Sequence, residues 1–584
     1  MRARTLGVIA GLAALGPAAS ALAAGDPIMP LRDVRPGMRC TGYSVFRGQA
    51  VEPFDVEIQD VLGQETTGSA DPRLLVRVSG ETVDVTGIGP GFSGSPIYCP
   101  AADGTMENAG AISETIGEYG GKTVLATPIE QILGTPVDAP RAAPDGAKRR
   151  RDAALMARAR PLAAPITVSG VNPALMSGLT KAARAHGVSL LAAPPTPAQS
   201  SPLLHFQPGS AVGVGLSSGD ITVGGIGTVA YVDGADVWAF GHSFDGAGAR
   251  SLLLQDAYVS TIINNPLQLG DGGGTYKLAG AIHDRGTLTD DGFDAVAGRV
   301  GPLPPLTRVG VHAEDLDRHV QSDTEVTVPD ETDLGNPTGL SALGFVAPIA
   351  VSQGATGVLG GAPQRLAARG CLQVVLRERR RPLGFCNRYV ADGTTPSDGP
   401  ESNPAALAAG TDASLALSLL DAYKGEPVHV TQVSARVSET RAQRQAYLRS
   451  VKLPRRIRRG ATVPGRLTVQ VVHGPRRTIP FRWRVPTSLP TGRRTLQLRG
   501  PDPDSGGGFF DTITIDLGCG GGSSDSEGPR SLEALRRSFS AVGRYDGIRL
   551  KSGPRVYLDS TYRIGGQAKA KVVVSTGRRG RARG

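Results

Sequence analysis

Aromatic side chains are scarce in this 584-residue chain: Phe, Trp and Tyr together make up 5%, and only two are Trp. Beyond the N-terminus no uninterrupted apolar run reaches the ~18 residues of a membrane-spanning helix. Heptads, a Gly-X-Y period and any fixed-period repeat are also missing, which excludes coiled coil, collagen and solenoid architectures. Cysteine is limited to five residues, with no CxxC pair and no Cys/His cluster at zinc spacing. No metal site and no cofactor is therefore expected. There is no P-loop, and GGIG and GDGGGT lack the strand-to-helix setting of a phosphate cradle. Asp502, Asp504 and Asp511 do not complete a calcium loop and read as a solvated acidic turn.

What is abundant is turn chemistry. The 79 Gly and 44 Pro exceed the usual shares of about 7% and 5%, and this favours many short strands, so the fold class is mainly β. An apolar fraction of 40% argues against disorder. Residues 1–24 read as a signal peptide, with Arg2 and Arg4, an apolar stretch from Leu6 to Leu15, and Ala21-Leu22-Ala23 as a small-x-small cleavage site. An uncleaved anchor is disfavoured by Gly11, Gly16 and Pro17. The expected location is secreted or extracytoplasmic. Composition then divides the chain into a β domain (25–137), an Ala/Pro/Arg-rich connector (138–204) and a second β domain (205–360) whose strands run to about Val358. A mixed segment (361–447) follows, then an immunoglobulin-like β-sandwich domain (448–517) and a hinge, helix and basic tail (518–584). Helices are expected near Ala153–Ala159, Pro173–His186, Ala405–Tyr423 and Arg530–Val542.

In an oxidising compartment, Cys371 and Cys386 bracket a strand, basic turn and strand, which brings them together as a disulfide. Cys40 and Cys99 share the first strand-rich segment and are available as a second pair, leaving Cys519 unassigned. The formal charge is +10, and basic runs at Lys148–Arg151, Arg377–Arg381, Arg455–Arg459 and Arg578–Arg583 suit either solvated turns or an anionic cell-envelope surface. Lys148–Arg151, in the connector, also suits a processing site. Few aromatics interleave with these runs, so nucleic acid is not expected as a partner.

The stretch TGIGPGFSGSPIY (86–98) carries the chemistry. A nucleophilic serine needs a tight turn that exposes its hydroxyl while backbone amides face a developing oxyanion. Glycines on both sides of Ser93 permit that turn, and the amides of Gly91 and Ser93 are the natural oxyanion donors. In VWAFGHSF, His242 ends an apolar strand and emerges at a Gly-rich turn, the setting of a general base. The bland readings are a hairpin turn and a core histidine.

Together these motifs resemble the SpoIVB-type serine peptidases of the chymotrypsin-like clan. That family's Gly-Met-Ser-Gly-Ser-Pro-Ile is matched by GFSGSPI and its Gly-His motif by AFGH; GTLTDDGFDAVAGRVG (286–301) and DPRLL (71–75) are looser likenesses. The resemblance spans about residues 28–360. It implies a chymotrypsin-like double β-barrel, a protein or peptide substrate, Ser93 as nucleophile, His242 as general base and Asp71 as triad acid, with Asp84 and Asp245 as alternatives. The serine precedes the histidine, the reverse of the family's order, so the arrangement would be permuted; triads are defined by geometry rather than order. The opening Arg35-Pro36-Gly37-Met38 resembles a wider set of secreted bacterial proteins with this order. Two functions follow: a secreted serine endopeptidase, or a non-catalytic envelope protein that keeps the fold for binding or scaffolding.

Overall fold

The computed structural model describes residues 25–576 except 64–70, 118–119, 139–159, 162–165, 186–188, 194–201, 204, 266–273, 335–340, 392–403, 443, 501–527, 544–546, 551–554 and 558–560. Several expectations therefore lie outside the described residues: the signal peptide, the 153–159 helix, the Lys148–Arg151 run, the Asp502, Asp504 and Asp511 turn, Cys519 with its Gly-rich hinge, and the Arg578–Arg583 tail. Among the described residues the protein is mainly β, with 51% strand and 17% helix.

Strict alternation builds the first unit. In β2 (Val51–Leu62), Phe54, Val56 and Ile58 point inward while Asp55 and Glu57 face solvent, the period-2 pattern of a half-buried strand. With β1 (Arg39–Val45), β3 (Arg73–Ser79), β4 (Pro96–Pro100), β5 (Met106–Thr115) and β6 (Thr123–Pro128), it forms an antiparallel ring in the order β4-β1-β2-β3-β6-β5. β5 pairs back onto β4, so the six strands close into a barrel with no free edge. The Cys40–Cys99 disulfide ties β1 to β4. Helix α1 (Glu81–Thr86) and the turn after it lead from β3 to β4, and α2 (Ile129–Leu133) follows β6.

The described parts of the connector are β7 (Arg160–Pro161), β8 (Ile166–Ser169), α3 (Pro173–Ala185) and β9 (Leu190–Ala192). Then come β10 (Ala211–Gly219), β11 (Thr222–Asp233), β12 (Asp236–Ala239), β13 (Gly248–Ile263), β14 (Tyr276–Asp291) and β15 (Val296–Val300). Their antiparallel pairings run β10-β13-β14-β15-β12-β11 and return from β11 to β10, a second closed circuit of six.

A layered unit extends from β10. β16 (Leu306–Asp315) and β17 (Val320–Pro329) join β18 (Leu366–Leu376), β19 (Leu383–Ala391) and β20 (Val430–Thr440), so strands on both sides of residue 360 share one sheet and one core. The Cys371–Cys386 disulfide links directly facing residues of β18 and β19. Helices α4 (Ala342–Leu359) and α5 (Pro404–Asp421) pack together beside this sheet. Residues 342–359 were expected as strand and are helix instead. This helix is apolar on all sides and 78% buried, so it lacks the one-sided 3.6-residue period that marks a surface helix. By length and hydropathy it meets the test for a membrane span, but its apolar surface is covered by the sheet and α5.

The last unit has β21 (Gln445–Lys452), β22 (Arg456–Arg458), β23 (Thr462–Val471), β24 (Arg476–Arg484), β25 (Gly492–Arg499), β26 (Gly547–Leu550), β27 (Arg555–Tyr557), β28 (Arg563–Gly565) and β29 (Gln567–Ser575), while α6 (Leu532–Val542), between β25 and β26 in the chain, packs on α5 and β19 with Leu535 and Phe539 in the core of the layered unit. Two sheets, β24-β23-β21-β28 and β22-β29-β25-β26-β27, share a core that includes Leu448, Leu467, Trp483, Leu498 and Val572.

One buried cation joins the two six-strand circuits. Arg73 on β3, 1% exposed, reaches Asp71 at 2.7 Å, Glu114 on β5 at 3.3 Å and Asp294, between β14 and β15, at 3.4 Å. Burial alone would lower the guanidinium pKa, but the attraction of three carboxylates outweighs it and raises the value. Removing the cation leaves uncompensated buried carboxylates. Arg73→Met is expected to lose about 3–5 kcal/mol of stability, measured by urea unfolding at neutral pH; a loss below about 1 kcal/mol would show that the carboxylates find other partners.

Candidate active site

The turn before β4 holds Ser93 in a strained but fully specified backbone. Gly91 and Gly94 adopt φ values of +93° and +92°, which side chains rarely tolerate. A Cβ on Gly94 would also sit 1.9 Å from the Thr228 carbonyl oxygen and 2.6 Å from the Phe240 nitrogen. The Gly-rich composition at this point is thus a requirement for close approach between the first ring and the second. The amides of Phe92, Gly94 and Ser95 donate to the carbonyls of Gly89, Ile112 and Phe92 at 3.1, 2.7 and 3.0 Å. Among the described residues, no carbonyl or side chain accepts from the amides of Gly91 and Ser93.

Thr228 on β11 fixes the turn from the other side. Its amide donates to the Ser93 carbonyl at 2.8 Å, its hydroxyl donates to the Gly91 carbonyl at 3.0 Å, and its own carbonyl accepts from Phe240 N–H at 3.2 Å. Phe240, next in the chain after β12, has φ +70° and is fully buried. Gly241 N–H donates back to the Ala239 carbonyl at 2.9 Å, closing a tight three-residue turn. The Gly241 carbonyl accepts from Thr127 Oγ1 at 2.7 Å. This strained turn delivers His242 to the seam between the two rings.

His242 is 2% exposed, and its Nδ1 lies 2.7 Å from the Ser243 carbonyl oxygen. A carbonyl only accepts, so Nδ1 carries the proton and Nε2 is left as the basic nitrogen. The loop after it is gathered onto Asp291 at the end of β14, whose carboxylate accepts from the amides of Phe244, Asp245, Gly246 and Ala247 at 2.6, 2.8, 2.8 and 3.4 Å. Ser93 is fully buried, and its Oγ makes no hydrogen bond. The serine and histidine motifs are therefore neighbours, but no Ser93–His242 hydrogen bond is formed.

The three acids considered for the triad have other engagements. Asp71 belongs to the Arg73 cluster. Asp84 sits exposed on α1, where its bond to Lys122 at 2.9 Å lowers its pKa. Asp245 pairs with Arg250 at 2.7 Å. One group that orients His242 is the Ser243 backbone carbonyl.

Sequence reading passed over Lys277 on β14, which lies directly beneath the serine turn. Its stem lies 2.8 Å from where a Gly91 Cβ would be, and its Nζ is 4.4 Å from the Phe92 ring centroid. The Nζ bonds Ser44 Oγ at 2.7 Å and Thr228 Oγ1 at 3.2 Å, and Ser44 Oγ is 2.9 Å from Ser95 Oγ. Full burial lowers its pKa to about 7. Asp291 and Asp294 both fall within 286–301, so that segment was a signal for them; a lone lysine in an apolar strand gave none.

Comparison with known proteins finds no matching family model, no matching curated protein and no matching solved structure.

The lysine makes a pH prediction. Its folded pKa lies below its unfolded value of 10.5, so above about pH 7 the unfolded chain binds the extra proton and stability rises with pH up to about 10.5. Lys277→Met removes this slope. Its stability gain over the native chain is expected to be largest below pH 7 and to shrink towards pH 10. Parallel curves for the two proteins in denaturant titrations across that range would refute the assignment.

Proposed function

We propose that the protein is a secreted serine endopeptidase of SpoIVB-like type, with a permuted chymotrypsin-like double barrel and a C-terminal β-sandwich domain. The observation that carries this reading is the junction of two six-strand antiparallel circuits, one bearing Ser93 and the other His242, with Thr228 hydrogen-bonded to both motifs. In the proposed reaction, His242 Nε2 takes the Ser93 hydroxyl proton as Oγ attacks a peptide carbonyl. The uncommitted amides of Gly91 and Ser93 hold the oxyanion, and the imidazolium passes its proton to the leaving amine. Water, deprotonated by the same histidine, then releases the acyl group. The Nδ1–Ser243 bond supports the tautomer this requires, and the two disulfides are compatible with an extracytoplasmic location. The reading also requires opening, because both side chains are buried.

That burial, with Ser93 Oγ making no hydrogen bond, favours a second reading: an envelope-associated binding or scaffold protein that retains the fold without turnover. Mature protein treated with a fluorophosphonate, followed by peptide mapping, separates the two. The peptidase reading expects an adduct on Ser93 and casein cleavage that Ser93→Ala or His242→Ala each reduces about 10³-fold or more, with the double variant no worse than either alone. Well-folded protein with no adduct and no cleavage would establish the scaffold reading.

A further inference from the structure

The positive charge of the chain is concentrated in one unit. Residues 445–500, which span β21 to β25, contain 14 Lys and Arg and no Asp or Glu. The remaining 528 residues hold 49 basic against 53 acidic side chains, so the whole surplus of the protein resides there. Strands β28 and β29 complete the two sheets and add Arg563, Lys569 and Lys571, again with no acid.

The pattern along the strands sets these cations outward. On the first sheet, Arg449, Lys452, Arg466, Arg482 and Arg484 are exposed while their neighbours Leu448, Val451, Leu467, Phe481 and Trp483 fill the core. On the second, Arg456, Arg458, Arg493, Arg499, Lys569 and Lys571 are exposed around buried Ile457, Leu496, Leu498, Ala570 and Val572. Lys452 stands directly opposite Arg466 in the ladder. Like charges in that position destabilise a sheet, and a fold selected for stability alone would place a carboxylate among them. Strands β21 to β25, β28 and β29 themselves carry no acid to supply the counter-charge, which points to a partner that brings it.

We propose that this two-sheet unit binds a linear anionic polysaccharide of the cell envelope. Of the 14 cations in 445–500, 13 are arginine, whose planar fork matches carboxylate and phosphate oxygens. The cations cover both outer faces, which point in opposite directions. A planar bilayer reaches one such face, whereas a flexible polymer or mesh engages both. Tyr447 is the one aromatic among the exposed large hydrophobics of 445–500, so the surface lacks the stacking platforms that single-stranded nucleic acid uses. This inference does not depend on the hydrolytic reading.

The test uses the full chain with heparin as polysaccharide probe, beside double-stranded DNA and phosphatidylglycerol vesicles. Heparin is expected to bind most tightly, with affinity falling at least about tenfold between about 50 and about 200 mM salt. The double reversal Arg466→Glu/Arg482→Glu should weaken binding about tenfold or more, while Arg380→Glu/Arg381→Glu, on the β18–β19 turn, leaves it unchanged. Each first-sheet reversal relieves repulsion, so those variants should melt no lower than the native chain, and bound heparin should raise the native melting temperature. Absence of heparin binding, indifference to the first-sheet reversal, or tighter binding to DNA or vesicles would each overturn the proposal.

Discussion

Everything proposed for the active site depends on one close approach of backbone to backbone, where Gly94 in the first ring meets Thr228 and Phe240 in the second. No side chain fits between them. That intimacy lets a single residue, Thr228, hold the carbonyls on both sides of Phe92 and the amide of the residue two before His242. Hydrogen bonds of this kind contribute only about 1 kcal/mol each. Their importance is geometric, because they remove the freedom of two loops to drift apart.

The outer boundary of the site is electrostatic. Arg73 gathers Asp71, just before β3, and carboxylates from β5 and the turn after β14, while Asp291 gathers four amides of the loop behind His242. Arg73 is a buried charge satisfied by carboxylates, whereas burial and the neighbouring Asp245 push the pKa of the Asp291 carboxyl well up. Lys277 differs: its partners are hydroxyls and an aromatic face, which do not neutralise it, and so its proton is loosely held.

Local patterns made much of this legible. The excess of Gly and Pro points to the β class, the helices expected at Ala405–Tyr423 and Arg530–Val542 are present as α5 and α6, and the facing positions of Cys371 and Cys386 follow from a strand-turn-strand pattern. Helix α4 escaped because burial on every side erases amphipathic periodicity. Asp71 is singled out by the likeness of DPRLL to a family motif, but Arg73 at the start of β3 claims it at 2.7 Å, a pairing that depends on both side chains being buried. Thr228, Ser44 and Lys277 carry no motif; they acquire meaning only when closure of two rings brings β1, β11 and β14 against the serine turn. The four basic runs do not single out one unit, whereas the absence of acids over the 56 residues 445–500 does.

The division of Ser93 and His242 between two circuits has a consequence for biogenesis. A ribosome completes the serine's ring well before it has made the strand that precedes the histidine, and Thr228, which clamps the serine turn, also belongs to the later part. Until that second circuit closes, the serine lacks both the histidine proposed as its base and the Thr228 bonds to the Gly91 and Ser93 carbonyls. On the peptidase reading proposed above, connectivity alone would keep the serine apart from its base in the nascent chain.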